Sequence, residues 1–185
     1  MTNHLHPIWA LGRKLQMAAL DVGRNIQFPG CPKSVTFDAL LCALFARCPD
    51  EIGKFFQNPG HLPDFVRTLY PQGIKEPPNL LSDLIRRLYP EGIKDPADLR
   101  PEKLLPLMKS SGLGEGLGMP PSFEVPIDKV LTEILASALS LARSEGRDRI
   151  EISDLIGGLS SDAELVAKFQ RESGLLLKEL PDRAP

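Results

Sequence analysis

A helix–bend–helix pattern occurs twice in this chain of 185 residues, once near each end. Near the N-terminus Ala18-Ala19-Leu20-Asp21-Val22-Gly23-Arg24 leads through a loop to Val35-Thr36-Phe37-Asp38-Ala39-Leu40-Leu41-Cys42-Ala43-Leu44. Near the C-terminus Ala138-Leu139-Ser140-Leu141-Ala142-Arg143-Ser144-Glu145-Gly146 leads through a shorter loop to Ile150-Glu151-Ile152-Ser153-Asp154-Leu155-Ile156-Gly157-Gly158-Leu159. Each copy reads as an amphipathic helix, a polar bend, a β-branched residue, a capping stretch and a second, mostly apolar helix. One such unit cannot bury its apolar face alone, so the two must pack together and leave a seam.

The spacing predicts helices throughout. Leu11, Leu15, Ala18, Ala19, Val22 and Ile26 recur at helical intervals, and Phe28-Pro29-Gly30-Cys31-Pro32 stops that helix. Thr36 is suited to accept an orphan amide of the next helix, and Asp38 adds charge at its positive end. Phe37 to about Arg47 is apolar nearly all round and should be central to the core. Pro49 opens a further helix, which Asn58-Pro59-Gly60 closes. In the last third Ile127, Val130, Leu131, Ile134, Leu135, Ala138, Leu141 and Ala142 form a stripe ended by Gly146. Glu151 to Leu159 follows with Ser153 or Asp154 near its cap. A third helix, capped by Ser160 or Ser161, carries Leu165, Val166 and Phe169 inward, and Leu175 to Leu180 reads as a last turn. Leu41, Leu44, Leu135, Ala138 and Leu159 are expected deep in the core.

A tighter repeat lies in the middle. Asp64-Phe65-Val66-Arg67-Thr68-Leu69-Tyr70-Pro71-Gln72-Gly73-Ile74-Lys75-Glu76-Pro77 recurs as Asp83-Leu84-Ile85-Arg86-Arg87-Leu88-Tyr89-Pro90-Glu91-Gly92-Ile93-Lys94-Asp95-Pro96. Each is a short helix and a turn in which glycine supplies a left-handed end and proline prevents continuation. Pro101 to Lys109 reads as one more helix, and the glycine-rich stretch after it as a linker. That stretch has neither the preceding strand nor the following Lys-Ser/Thr of a phosphate loop.

The formal charge of −2 and the lack of a basic block disfavour nucleic-acid binding, which needs a concentrated cationic surface. No apolar run approaches a membrane span. Met1 to Trp9 lacks the charged and apolar regions of a signal peptide, and Cys31, Cys42 and Cys48 form an odd set. Reduced thiols in a cytoplasmic protein are therefore expected.

The paired pattern resembles the double repeat of the Clp N-terminal domain, the substrate- and adaptor-binding module in front of Clp-type AAA+ unfoldases, over residues 10–58 and 127–180. The resemblance implies an all-α fold in which two four-helix repeats are related by a pseudo-twofold axis, with an extra helical insert between them. Residues 1–111 would be the first repeat extended by the tandem units 64–80 and 83–99, 112–126 a linker, 127–180 the second repeat and 181–185 a frayed tail. The family's nucleotide-binding motifs are absent from these residues, so ATPase activity does not carry over. A non-enzymatic interaction module is implied, with no cofactor and no metal. It would bind a peptide or helix of a substrate, of an adaptor or, as in the type VI secretion variant, of a sheath protein.

In some Clp N-domains a glutamate at the start of the second helix helps hold a basic or phosphorylated-arginine signal. The matching positions here are Asp38 and Ser153, with Asp154 beside the latter, so one acid is shortened and the other lost. Both residues read better as helix caps than as holders of such a signal. The expected site is a groove near the starts of the two second helices, walled by Phe37, Asp38, Ile152 and Ser153. Phe37 either waits for a partner there or staples the Phe28–Cys31 loop.

Tyr70 and Tyr89, equivalent in the tandem repeat, are the rival contact surface. They would serve a structural or assembly protein, or else each would pack over its own turn with its hydroxyl wet. Two further chemistries carry less weight. His4, His6 and His61 lack metal-ligand spacing, and a nucleophilic Cys31 or Cys48 lacks a recognisable histidine partner.

Overall fold

The computed structural model describes residues 10–26, 28–75, 89, 91 and 126–179. Among them are seven α-helices, one 3₁₀ turn and no strand beyond isolated bridges. The fold is all-α. The chain divides into one unit of residues 1–75 with 125–185 and another of 76–124. Both end segments lie in the first unit and share its core, because neither can bury its apolar face alone. The helix expected at Pro101–Lys109, most of the linker, the tail, His4, His6 and all of the second tandem unit except Tyr89 and Glu91 lie outside the described residues.

The first half contributes α1 (Arg13–Asn25), α2 (Phe37–Arg47), α3 (Pro49–Gly53), a 3₁₀ turn (Pro59–His61) and α4 (Leu62–Leu69). The second contributes α5 (Lys129–Ser144), α6 (Ile152–Ser160) and α7 (Ala163–Ser173). The starts of these helices follow local chemistry. The Ala39 N–H donates to Thr36 Oγ1 at 3.1 Å, and Pro49 occupies the first turn of α3. At α6 Asp154, rather than Ser153, takes part in the capping. Glu151 is the cap, and Asp154 reaches back to accept its N–H at 2.8 Å. Asp162, rather than Ser160 or Ser161, caps α7 by accepting from Glu164 and Leu165. A carboxylate does this better than a hydroxyl at the positive end of the helix dipole.

α1 packs on α2 and α5 on α6, and two short parallel pairings join the halves, Leu11 with Ile150 and Val35 with Ile127. In each, the residue two before the second helix donates to the carbonyl before its partner: Ile150 to Ala10 at 2.7 Å and Val35 to Pro126 at 2.9 Å. Each then accepts from the residue after that partner, Gly12 at 2.8 Å and Asp128 at 3.1 Å. The start of each half's first helix is thus tied to the start of the other half's second helix. The link before α2 spans residues 26–36 and that before α6 residues 145–151, so the first loop is four residues longer, as the sequence spacing requires.

Leu41, Leu44, Leu135, Ala138 and Leu159 are each at most 3% exposed. Burying a leucine of this kind contributes roughly 1.5–3 kcal/mol. The segment after α7 is not a turn of helix. Gly174, at φ +71°, ends α7 in the left-handed conformation, and Leu177 pairs antiparallel with Phe56. Gln57 N–H donates to Leu176 O at 2.8 Å and Lys178 N–H to Phe55 O at 2.9 Å. Leu175 and Leu177 are buried while Leu176 is exposed. That is the two-residue alternation of extended backbone, invisible in a run of identical leucines.

Candidate functional site

A groove of about 160 Å³ opens where the two halves meet. Thr36, Phe37 and Asp38 enter it from the start of α2, and Asp128, Val130 and Ile134 from the start of α5. Leu159 closes its back, and α7 supplies Leu165, Lys168, Phe169 and Glu172. The Val35–Ile127 pairing brings the first two helix starts together, and the spacing of Leu165, Lys168, Phe169 and Glu172 places one face of α7 along them.

Phe37 is only 6% exposed and meets the Phe169 ring edge-on, with centroids 5.3 Å apart. Phe169 also contacts Phe56 and Phe65. Phe37 is therefore not a free wall; it is part of an aromatic cluster that joins the halves and floors the groove.

Asp38 is half-buried, and its carboxylate takes no hydrogen bond or ion pair from a described residue. Burial pushes its pKa up to about 6, helped by Glu172 and Asp128 and opposed by Lys168. Asp128 caps α5, accepting from the Val130 N–H at 2.7 Å. The groove thus carries three carboxylates and one lysine around an apolar floor.

Ile152 and Ser153 are not brought to this groove. Ile152 is 2% exposed, and the start of α6 lies beside the start of α1. There Lys14 forms an ion pair with Glu51, and its charge is reinforced chiefly by that partner and further by Glu151. The exchange of helix starts between halves separates Phe37 and Asp38 from Ile152 and Ser153, so the four do not wall one groove. Tyr70 is also not at a surface. It is 1% exposed, its hydroxyl has no partner among the described residues, and burial raises the phenol's pKa. Tyr89 is half-buried in the other unit.

No group of three or more His, Cys, Asp or Glu among the described residues could hold a metal. His61 pairs with Asn58. Burial raises the thiol pKa of Cys48, first among its causes, and that of Cys42. This is opposite to what an activated nucleophile needs. Asp128, Lys168 and Glu172 were not picked out by the sequence. The signal available was the i, i+4 spacing of Lys168 and Glu172 on the face that also carries Leu165 and Phe169.

Comparison with family models, with curated proteins and with solved structures found no match for this chain. No helix among the described residues is long and apolar enough to cross a membrane.

Proposed function

We propose that this chain is a non-enzymatic protein-interaction module, similar in kind to a Clp N-terminal domain, that takes a peptide or helix of a partner into the groove at the starts of α2 and α5. The partner classes are those the resemblance implies: an unfoldase substrate, an adaptor or a secretion-sheath helix. The halves would be related by an approximate twofold rotation, which superposing α1 and α2 on α5 and α6 would check.

The observation that supports the reading is the groove itself: a floor of Phe37 and Phe169 between half-buried Val130 and Leu165, rimmed by Asp38, Asp128, Glu172 and Lys168. An amphipathic segment can lay its apolar side on such a floor. The excess of carboxylates favours a segment that also carries a cationic residue, through complementary charge.

The test uses a fluorescent, acetylated and amidated helical peptide of leucine, alanine and arginine, titrated by anisotropy. A variant carrying Asp38→Lys and Glu172→Lys should lose about tenfold or more in affinity, about 1.4 kcal/mol. Ser153→Arg, beside the start of α1, should bind as the parent does. Equal affinity in the groove variant, with helicity preserved, or a loss confined to Ser153→Arg, would refute the groove as the site.

A further inference from the structure

The starts of α2 and α5 and one face of α7 converge on a carboxylate that no described residue pairs with directly. Asp38 is half-buried beside the Phe37–Phe169 contact and makes no hydrogen bond or ion pair with a described residue. Its charged neighbours come from each packed element. Asp128 lies at the start of α5, and Lys168 and Glu172 lie on α7. On its own helix, Cys42 is buried and its thiol stays protonated at neutral pH. From α6 only Leu159 reaches the groove.

Desolvation and two like charges both disfavour the ionised form, and a single lysine opposes them. We propose that the groove is a pH-gated cation site, in which protonation of Asp38 on mild acidification releases a bound cationic segment. This rests on the interaction reading above and adds a regulation to it. Above the titration Asp38 adds its negative charge to the rim beside the Phe37–Phe169 floor; below it, that charge is gone. A guanidinium or ammonium laid on that floor keeps its apolar contact but loses its buried counter-charge. The titrating group is a carboxylate, so the response falls between about pH 5 and 7, well above the ordinary range near 4.

Two measurements test the gate. Carboxyl carbon shifts of Asp38, followed by NMR from pH 4 to 8 without ligand, should give a midpoint near 6. The midpoint should move down in Glu172→Gln and up in Lys168→Met. A midpoint near 4 in the parent overturns the gate whether or not any peptide binds. The second measurement uses the leucine–alanine–arginine peptide, which has no group that titrates in this range. Its affinity should be about tenfold weaker at pH 5 than at pH 7.5, since one unit below the midpoint leaves about a tenth of Asp38 ionised. In Asp38→Asn it should be weak at both, with a ratio near one. The same tenfold ratio in Asp38→Asn overturns the proposal. A peptide that binds at neither pH, with Asp38 still titrating near 6, would instead refute the interaction reading, and the release with it.

Discussion

The two halves use the same ion pair to different ends. In the first, Asp21 in the middle of α1 is held by Arg47 from the end of α2, with Arg47 Nη2 2.9 Å from Asp21 Oδ1, so the pair fastens one helix to the next. In the second, Asp154 in the first turn of α6 is held by Arg147 from the loop before it, with Nη2 2.8 Å from Oδ1. That pair closes the loop, and Asp154 and Glu145 together hold the guanidinium firmly charged. The carboxylates are not at matching positions. The longer first loop is fastened separately, by Lys33 Nζ donating to the carbonyls of Ile26 and Phe28. The first half's arginine thus bridges two helices, whereas the second half's closes the loop that carries it.

Helix contact differs in the same way. Ala43 and Gly158 are each the seventh residue of their helix. A Cβ on Gly158 would lie 2.5 Å from the Ile134 carbonyl oxygen, so α5 and α6 approach more closely than an alanine allows.

The strongest way to break this comparison is to remove each arginine. Arg147→Ala takes the guanidinium away from the fully buried Asp154 carboxylate and should cost about 3 kcal/mol in urea unfolding. Arg47→Ala should cost about 1–2 kcal/mol, because Asp21 retains some exposure and solvent screens the pair. Equal losses would mean that loop closure and helix fastening are energetically the same device.

Next in size, Gly158→Ala should destabilise by about 2 kcal/mol, since the obstructing atom is backbone and cannot turn aside. Gly157→Ala meets only the movable Leu141 Cδ1 and should be near neutral, because the gain in helix propensity, up to about 1 kcal/mol, offsets the crowding. A thermal melt of the two variants sharpens the contrast, and similar midpoints would show that α5 and α6 are not held so close.

Asp38, from the first half, is the groove carboxylate that burial perturbs, so the pH response should depend on it. The folded-state pKa of Asp38 is raised, so the folded chain holds this proton more tightly than the unfolded chain does. Its contribution to stability therefore falls as pH rises from about 4 to about 6. Asp38→Asn should flatten that part of the stability–pH profile and leave the protein more stable at pH 7. An unchanged profile would assign the slope to another group.

The smallest effect concerns the helix–turn unit present beside α1 and α2. Tyr70→Phe removes a buried hydroxyl with no partner among the described residues and should change stability by about 1 kcal/mol or less, in the stabilising direction. A clear loss would show that the hydroxyl is satisfied in solution.

Helix content was legible in the sequence because periodicity and caps are local. Thr36, Pro49 and Gly174 act on their own neighbours, and the apolar stripes of α1, α2, α5 and α6 are complete without knowledge of a partner. Even the difference in loop length could be counted. The site was legible only in part. Phe37 and Asp38 follow from their place after a cap, but the matching place in the other half, Ile152 and Ser153, faces different residues. Sequence equivalence says that two positions are alike; it does not say which surfaces they meet.

The tertiary structure decided those surfaces through Leu11–Ile150 and Val35–Ile127, whose backbone hydrogen bonds are blind to residue type and leave no pattern to read. It also chose the depth of Tyr70, because a ring long enough to reach the surface is drawn inward wherever α1 and α2 leave apolar space. It assembled Asp38, Asp128, Lys168 and Glu172 from three separated segments. Burial and Coulomb interaction depend on distances through space, so the charge of that groove came into being only when the halves met.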